Sequence, residues 1–518
     1  MMGRTGKTFK PPHVWALLYI VLFLIVCVTP LLGLLTGYEN PNLEKRSLAP
    51  LPTLMADGRP NLALPRNFED YYADHFAFRS WLISGYNRLN QTVLAQSGNK
   101  KVIAGKAGWL FFAETLPDYL AMPTLSSTQL RRLATILSLQ QESLAAKGID
   151  FYFIVAPNKN SIYGEYMPDR FKPVQASSNL DLWLASPYRD DVSTIDLQTP
   201  LRLAAASAAE PIFHKTDSHW NNLGARTAYQ VILAEIARHA QGFAYDDYQQ
   251  SSYTTRTDWQ GDLAAMLYPS GVQLDNQQYF TIPQAYRTLK PMRSLEDLLI
   301  QTSQVAGSAE NSTQQDRPLH LLMFRDSFAN ALIPFLANSF TSATFTREIP
   351  YNYSTIDQEE PDVVILEIVE RNMPNLLLRA PVLLAPERKR PEDSAQAGSS
   401  GNAENTCSIR LNRLIAEPGK IGLKISGQLI DEQAALDAIG PIYLGLAGQD
   451  GLIRYFEAFP VDETSQAPAE GLTGHESGIL GLTAYLPDNA WTPGAQPVQV
   501  WLQTAGRWQR LSCEIVLP

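Results

Sequence analysis

Asp217 and His219 stand two residues apart in HKTDSHWNNLGA, residues 214–225, and Ser327 follows an aspartate in HLLMFRDSFANAL, residues 320–332. A serine hydroxyl is a poor nucleophile at neutral pH and needs an adjacent base. Histidine is the usual one, with a carboxylate fixing its tautomer. Together these residue types could carry acyl transfer, with Ser327 as nucleophile, His219 as base and Asp217 as orienter. Each also has a plainer role. Serine at a helix start is a common N-cap, Asp217 could cap the helix that follows it, and a lone histidine is most often structural. Finding both fragments in one α/β region shifts the balance towards a Ser-His-Asp triad, with the plainer roles still open at this point.

His214, Asp217 and His219 also read as H-x-x-D-x-H, a set of zinc-compatible donors. His214 is expected inside a strand, however, and no second cluster of His, Cys or carboxylates stands out to complete a site. Neither a metal nor a cofactor is expected.

The elements around these fragments must bring them to one place. SSTQLRRLATILSLQQESLAAKG has apolar positions at helical spacing, begins on Ser/Thr capping residues and stops at Gly148. IDFYFIVAP reads as a buried strand, VSTIDL as another, and PIFHK as a third leading into the Asp217 fragment. LGARTAYQVILAEIARHA is an amphipathic helix, HLLMF a strand, SFANALIPFLANSF a helix and PDVVILEIV a strong strand. This alternation predicts a parallel sheet covered by helices on both faces. Ser327 then lies at a strand-to-helix turn on the carboxyl edge of the sheet, where open α/β folds bind ligands. The helix start there offers backbone N–H groups to an oxyanion.

The chain has 518 residues, 45% hydrophobic and 18% charged, with a net charge of −10. That is a globular composition, and the acidic balance without a basic block argues against nucleic acid as a partner. Arg4, Lys7 and Lys10 precede about 22 mostly apolar residues (VWALLYIVLFLIVCVTPLLGLL), enough for a transmembrane helix. The basic flank keeps the N-terminus cytoplasmic and puts the rest on the far side. A cleaved signal peptide would have a shorter apolar region and a clearer cleavage site. The expected organisation is a cytoplasmic N-terminus (1–12), a membrane anchor (13–36), a catalytic domain (37–385), a linker (386–406) and a C-terminal β domain (407–518). Short strand-like runs separated by Gly, Pro and Asp predict a small β-sandwich for this last part. Cys407 and Cys513 bracket it and suit one disulfide in an oxidising compartment, or else two buried thiols.

TDSHW followed by RDSF, in that order, resembles the alginate O-acetyltransferases of the bacterial periplasm, which are SGNH-hydrolase-like proteins. The resemblance extends to NLEKRSLAPLP, FEDYYADHFAFR, VIAGKAGWLFF, VAPNKNSIYGEYMP and PDVVILEIVERN, and covers roughly residues 39–380. It implies an SGNH-hydrolase-like α/β fold: a parallel sheet flanked by helices, preceded by one transmembrane helix and followed by the small β-sandwich. It assigns nucleophile, base and orienter to Ser327, His219 and Asp217. Arg325 stands where such enzymes usually carry the glycine of Gly-Asp-Ser. Trp220, Arg325, Arg371, Asn158 and Asn222 are candidates for substrate binding, each with a packing, capping or ion-pair role as the alternative. Tyr443, Trp491 and Trp501 could stack on sugars.

The resemblance further implies an acetyl group moved to an exported polysaccharide, supplied by a multi-spanning membrane O-acyltransferase. The protein would be anchored in the bacterial inner membrane with its catalytic domain in the periplasm. Two rival functions keep the same fold: a carbohydrate acetylesterase using water as acceptor, and a non-catalytic glycan-binding assembly factor.

Overall fold

In the computed structural model, residues 11–36 and most of 48–511 are described; 292–297, 306–317, 392–408, 432–438, 462–478, 491–497 and eight single positions are not. Val363–Val369 is the centre of the molecule. Its seven residues are all buried, as expected of a β-branched strand covered on both faces. It pairs in parallel with Asp150–Ala156 on one side and His320–Phe324 on the other. Thr194–Ile195 and Ser342–Thr346 extend the parallel run. Leu299–Gln304 and Tyr286–Lys290 then add two antiparallel strands at one edge. The seven-stranded sheet is therefore mixed, which corrects the expectation of a parallel one. The two added strands (YRTLK and LIQTSQ) are short and polar, and belong to an edge that only one neighbour needs to cover.

Alternate side chains of the central strands feed two cores. Phe151, Phe153, Val155, Val364 and Leu366 pack with the buried stripe of helix Ser127–Ala145. Tyr152, Ile154, Ile365 and Met323 pack with helix Asn222–His239 on the opposite face. The first helix begins on a capping box formed by Ser126 and Gln129 and ends at Gly148, whose φ of +75° is open to glycine at little cost. PIFHK does not join the sheet. It makes one antiparallel bridge, Phe213 to Trp220, closing a loop around Asp217.

Two further expectations are overturned. Among the described residues no helix is long and apolar enough to cross a membrane, so no spanning helix is found. The N-terminal helix Pro11–Thr36 forms. Nor does the C-terminal part stand as a small sandwich of its own. It contributes a five-stranded and a three-stranded antiparallel sheet, and Phe459, Val461 and Tyr485 from it are buried in the α/β core beside Leu133 and Leu376. Arg388, in the strand Glu387–Arg388, reaches Glu457 at 2.7 Å and also Glu142 on the α/β body. Trp501 is buried and Tyr443 packs on Trp508. Trp491, Cys407 and Cys513, with the expected disulfide, lie outside the described residues.

Candidate active site

Three parallel strands end on one edge of the sheet, and the residues that follow them meet there. Phe324 leads to Asp326 and Ser327, Ala156 to Asn158 and Lys159, and Val369 to Glu370 and Arg371. The loop carrying Asp217 and His219 arrives from outside the sheet, between helices Gln198–Ser207 and Asn222–His239.

His219 bridges the other two residues. Its Nδ1 lies 2.7 Å from Asp217 Oδ1, and its Nε2 lies 2.8 Å from Ser327 Oγ. An ionised carboxylate can only accept, so Nδ1 carries the proton and Nε2 is left to accept from the serine hydroxyl. Asp217 is saturated with donors. Oδ1 also accepts the His219 N–H at 3.0 Å, and Oδ2 accepts Trp259 Nε1–H and the Asp262 N–H, each at 3.1 Å. Burial works against the Asp217 charge, but the bonds and charge of His219 outweigh it and hold the carboxyl well below its usual range. Burial likewise opposes the imidazolium of His219, yet Asp217, then Asp262 and Asp326, raise it above its ordinary value.

The loop is held from three sides. Lys159 Nζ donates to the carbonyls of His214, Lys215 and Asp217 at 3.1, 3.1 and 2.6 Å. Leu110 N–H donates to Lys215 O at 2.8 Å, and Ala264 N–H to Thr216 O at 3.0 Å. The last approach needs Gly261, where a Cβ would sit 2.2 Å from Thr216 O.

Ser327 is half-buried and opens a short 3-10 turn, Phe328–Ala331, rather than the expected α-helix, which starts later at Ile333–Ser339. Asp326 shapes this turn. Its Oδ1 accepts the Phe328 N–H at 2.8 Å and its Oδ2 the Val369 N–H at 2.7 Å, while its own N–H goes to Glu367 Oε2 at 2.9 Å. The Phe328 amide is thereby spent. The Ser327 N–H has no acceptor among the described residues and is the amide at this turn free to meet an oxyanion.

The other candidates have varied placements. Trp220 is buried, and its Nε1–H donates to Phe328 O at 3.0 Å, so it braces the serine turn from the core. Arg325 is buried beneath the turn, on Asn330 and, at 3.1 Å, Asp326 O. Asn158 is buried on Glu370 and Asp118, and Asn222 ties its helix to Gln277 and Gln278. Arg371 reaches the site: its guanidinium stands 5.9 Å from the Phe328 ring and 5.3 Å from the Phe112 ring. His214 stacks on Trp259 at 4.8 Å, and burial lowers it to about 4, so it is neutral.

Sequence reasoning missed Lys159, Ser218, Trp259 and Asp262. Only the Gly-Asp pair of DWQGDL, a tight turn before a helix start, offered any signal for the last of these. Asp217, His219 and Asp262 each bring a ligand atom within 4.8 Å of the others. A cation could take that position only by breaking the Asp217–His219 hydrogen bond.

Residues 102–308 match the family described as "SGNH hydrolase-like domain, acetyltransferase AlgX". "Probable alginate O-acetylase AlgJ" of Pseudomonas aeruginosa is 30% identical over 177 residues, 34% of this chain and 43% of that protein. Its namesake in Pseudomonas putida is 27% identical over 220 residues, 40% of this chain and 52% of that protein. The chain thus spans about half the length of the curated relatives it matches. Among solved structures, "Structure of Bacillus cereus PatB1" aligns with 19% identity over 52% of this chain and 96% of that one, at a TM-score of 0.41. "O-Acetyltransferase Domain of Pseudomonas putida AlgJ" aligns with 23% identity over 53% and 92%, at 0.36. Residues 102–308 are thus similar to the AlgX-type SGNH hydrolase-like domain, and the AlgJ relatives of Pseudomonas aeruginosa and Pseudomonas syringae resemble this chain over 34% and 38% of its length.

Proposed function

We propose that the protein is an O-acetyltransferase that carries an acetyl group on Ser327 and delivers it to hydroxyls of an exported polysaccharide. The observation that carries this reading is the unbroken hydrogen-bond line from Asp217 through His219 to Ser327. In the first half-reaction His219 Nε2 takes the Ser327 proton as Oγ attacks the carbonyl of an acetyl donor. The oxyanion faces the Ser327 N–H, and the imidazolium returns its proton to the departing group. In the second, a sugar hydroxyl gives its proton to His219 and attacks the acetyl-serine, and the proton passes back to Ser327. Asp217 stabilises the imidazolium in both.

The relatives named as alginate O-acetylases support a polysaccharide acceptor. We further propose, as the resemblance of TDSHW and RDSF to the periplasmic acetyltransferases implies, that the catalytic part works on the periplasmic side of the bacterial inner membrane, with a multi-spanning membrane O-acyltransferase as the acetyl supplier.

The test is hydrolysis of a chromogenic acetyl ester by the full chain, followed by intact mass of the quenched enzyme. Wild type is expected to turn over and to show an acetyl adduct; Ser327→Ala and His219→Ala are expected to show neither. Adding glycan acceptors should divert acetyl from water to sugar. Activity that survives in Ser327→Ala would end this reading, and diversion to water alone would make the protein an esterase.

A further inference from the structure

A second carboxylate reaches the same imidazole from a different element. Asp262 opens the short helix Asp262–Leu267, directly after the hairpin strand Tyr253–Gln260. Both of its oxygens engage Ser218: Oδ1 accepts the Ser218 N–H at 2.8 Å, and Oδ2 accepts the Ser218 hydroxyl at 2.6 Å. The hydroxyl has one proton, spent on Asp262, so towards its other neighbour it can only accept. That neighbour is His219 Nδ1, 3.2 Å away.

The Nδ1 proton therefore faces two acceptors, Asp217 Oδ1 and Ser218 Oγ, and a carboxylate backs the second as well as being the first. Asp262 Oδ2 itself stands 3.9 Å from Nδ1, with the Asp262 side chain only 15% exposed. Its main-chain N–H holds the far oxygen of Asp217. One residue thus touches both the orienter and the other acceptor that Nδ1 has among the described residues.

We propose that Asp262 is a positioning residue for His219, acting through the Ser218 hydroxyl to share the imidazolium charge with Asp217 and to hold the ring in line with Ser327. The inference rests on the acyl-transfer reading above. The charged groups around it are few. Asp217, Asp262 and Asp326 face His219; Lys159 faces Asp217, Asp262 and Asp275 from the strand end below; and Arg371 faces Asp262 and Asp326 across the site. Burial and the Asp217 charge both raise Asp262 above its ordinary value, so Asp262 takes up a proton before Asp217 does as pH falls.

The readout is the acid limb of kcat/KM for ester hydrolysis, which reports the free-enzyme histidine. Asp262→Asn removes a negative charge beside the imidazolium and should move that limb down by roughly 0.5–1 pH unit. Ser218→Ala leaves the carboxylate but cuts the link, and should move it the same way by less. Asp262→Asn should also cost more in an Asp217→Ala background than in wild type, because Ser218 is then the remaining acceptor at Nδ1. NMR titration of the His219 ring gives the same shift without turnover, and so reads any variant that folds but works poorly.

An acid limb and ring titration unmoved in both variants would overturn the proposal, even if the rates fell. A wild type with no esterase activity, or an active Ser327→Ala, would instead remove the acyl-transfer reading. In that case the NMR shift alone decides whether Asp262 acts on His219.

Discussion

Lys159 donates a 2.6 Å hydrogen bond to the main-chain oxygen of Asp217 from an ammonium buried in the protein. The same nitrogen holds His214 O and Lys215 O, so its three donors meet three carbonyls of one loop. It lies over the rings of Trp109 and Phe111, at 5.6 and 5.2 Å, and has no carboxylate within ion-pair distance among the described residues. Burial pushes the amine down to about 8. Such a charge costs free energy to bury, and its return is the fixed path of the loop that aims His219.

Lys159→Met removes all three donors while roughly filling the volume. It leaves buried carbonyls unpaired, each costing about 1–3 kcal/mol, partly offset by no longer burying a charge. The net expectation is a loss of about 3 kcal/mol in urea unfolding, together with a fall in kcat/KM for ester hydrolysis of at least tenfold. Unchanged stability and rate would show that the loop holds itself.

The Asp217–His219 pair predicts opposite pH trends for stability and catalysis. The folded value of His219 is raised above 6.5, so its contribution to stability is complete below pH 6.5 and is lost as pH rises through the folded value. Asp217 is held below its ordinary 3.8, so its share persists above that value and is lost only on acidification through the folded one. The pair therefore contributes most between about pH 4 and 6.5. On the proposed acyl-transfer reading, catalysis needs neutral His219 and rises through the range where that stability is being lost. Thermal unfolding of wild type against His219→Gln from pH 5 to 9 should show a Tm gap that narrows as pH rises. A gap that widens would contradict the assigned shifts.

Part of this site was legible in the sequence because the chemistry restricts residue types. Few side chains can activate a serine, and Asp217, His219 and Ser327 were the set of the right kind at strand and helix boundaries. Their supports were not legible, for a physical reason. Lys159 looks like a surface lysine in PNKNS, and Trp259 and Asp262 lie some 40 residues beyond the loop they hold. Only the three-dimensional path of the hairpin Tyr253–Phe280 brings them back. The central strands could be read from their unbroken apolar runs. The antiparallel edge, YRTLK and LIQTSQ, could not, since short polar strands carry little periodic signal. SFANALIPFLANSF carries one continuous helical pattern, but Pro334 suits a first helical turn, so the α-helix begins at Ile333 and Phe328–Ala331 is left as a 3-10 turn.

Trp259 allows one support of Asp217 to be removed cleanly. Its Nε1–H reaches Oδ2 at 3.1 Å while its ring stacks on His214. Trp259→Phe keeps most of the stack and deletes the donor; the Asp262 N–H still holds the same oxygen. A hydrogen bond to a charged group contributes about 1.5–3 kcal/mol. With one donor remaining, kcat/KM is expected to fall roughly tenfold rather than to vanish, while KM for a small ester changes little. A rise in KM with kcat intact would instead place Trp259 at the substrate.

The serine turn supplies the sharpest contrast between two isosteric changes. Asp326 accepts two backbone N–H groups through its two oxygens, a role that needs both acceptors. Asp326→Asn turns one oxygen into a donor facing a donor, and should lower stability by about 2 kcal/mol and reduce acylation of Ser327. Glu367, which holds the Asp326 N–H, is a different case. Burial, and next the Asp326 charge, push its carboxyl well above the usual range and favour the protonated form. A neutral carboxyl and an amide have the same shape and one acceptor oxygen each for this bond. Glu367→Gln is therefore expected to change stability by less than about 0.5 kcal/mol and to leave acylation intact, measured beside Asp326→Asn in the same assays. A large loss in Glu367→Gln would mean that Glu367 is ionised beneath the turn, paired with the Arg325 guanidinium, and that the charge of this pair sets the shape of the turn.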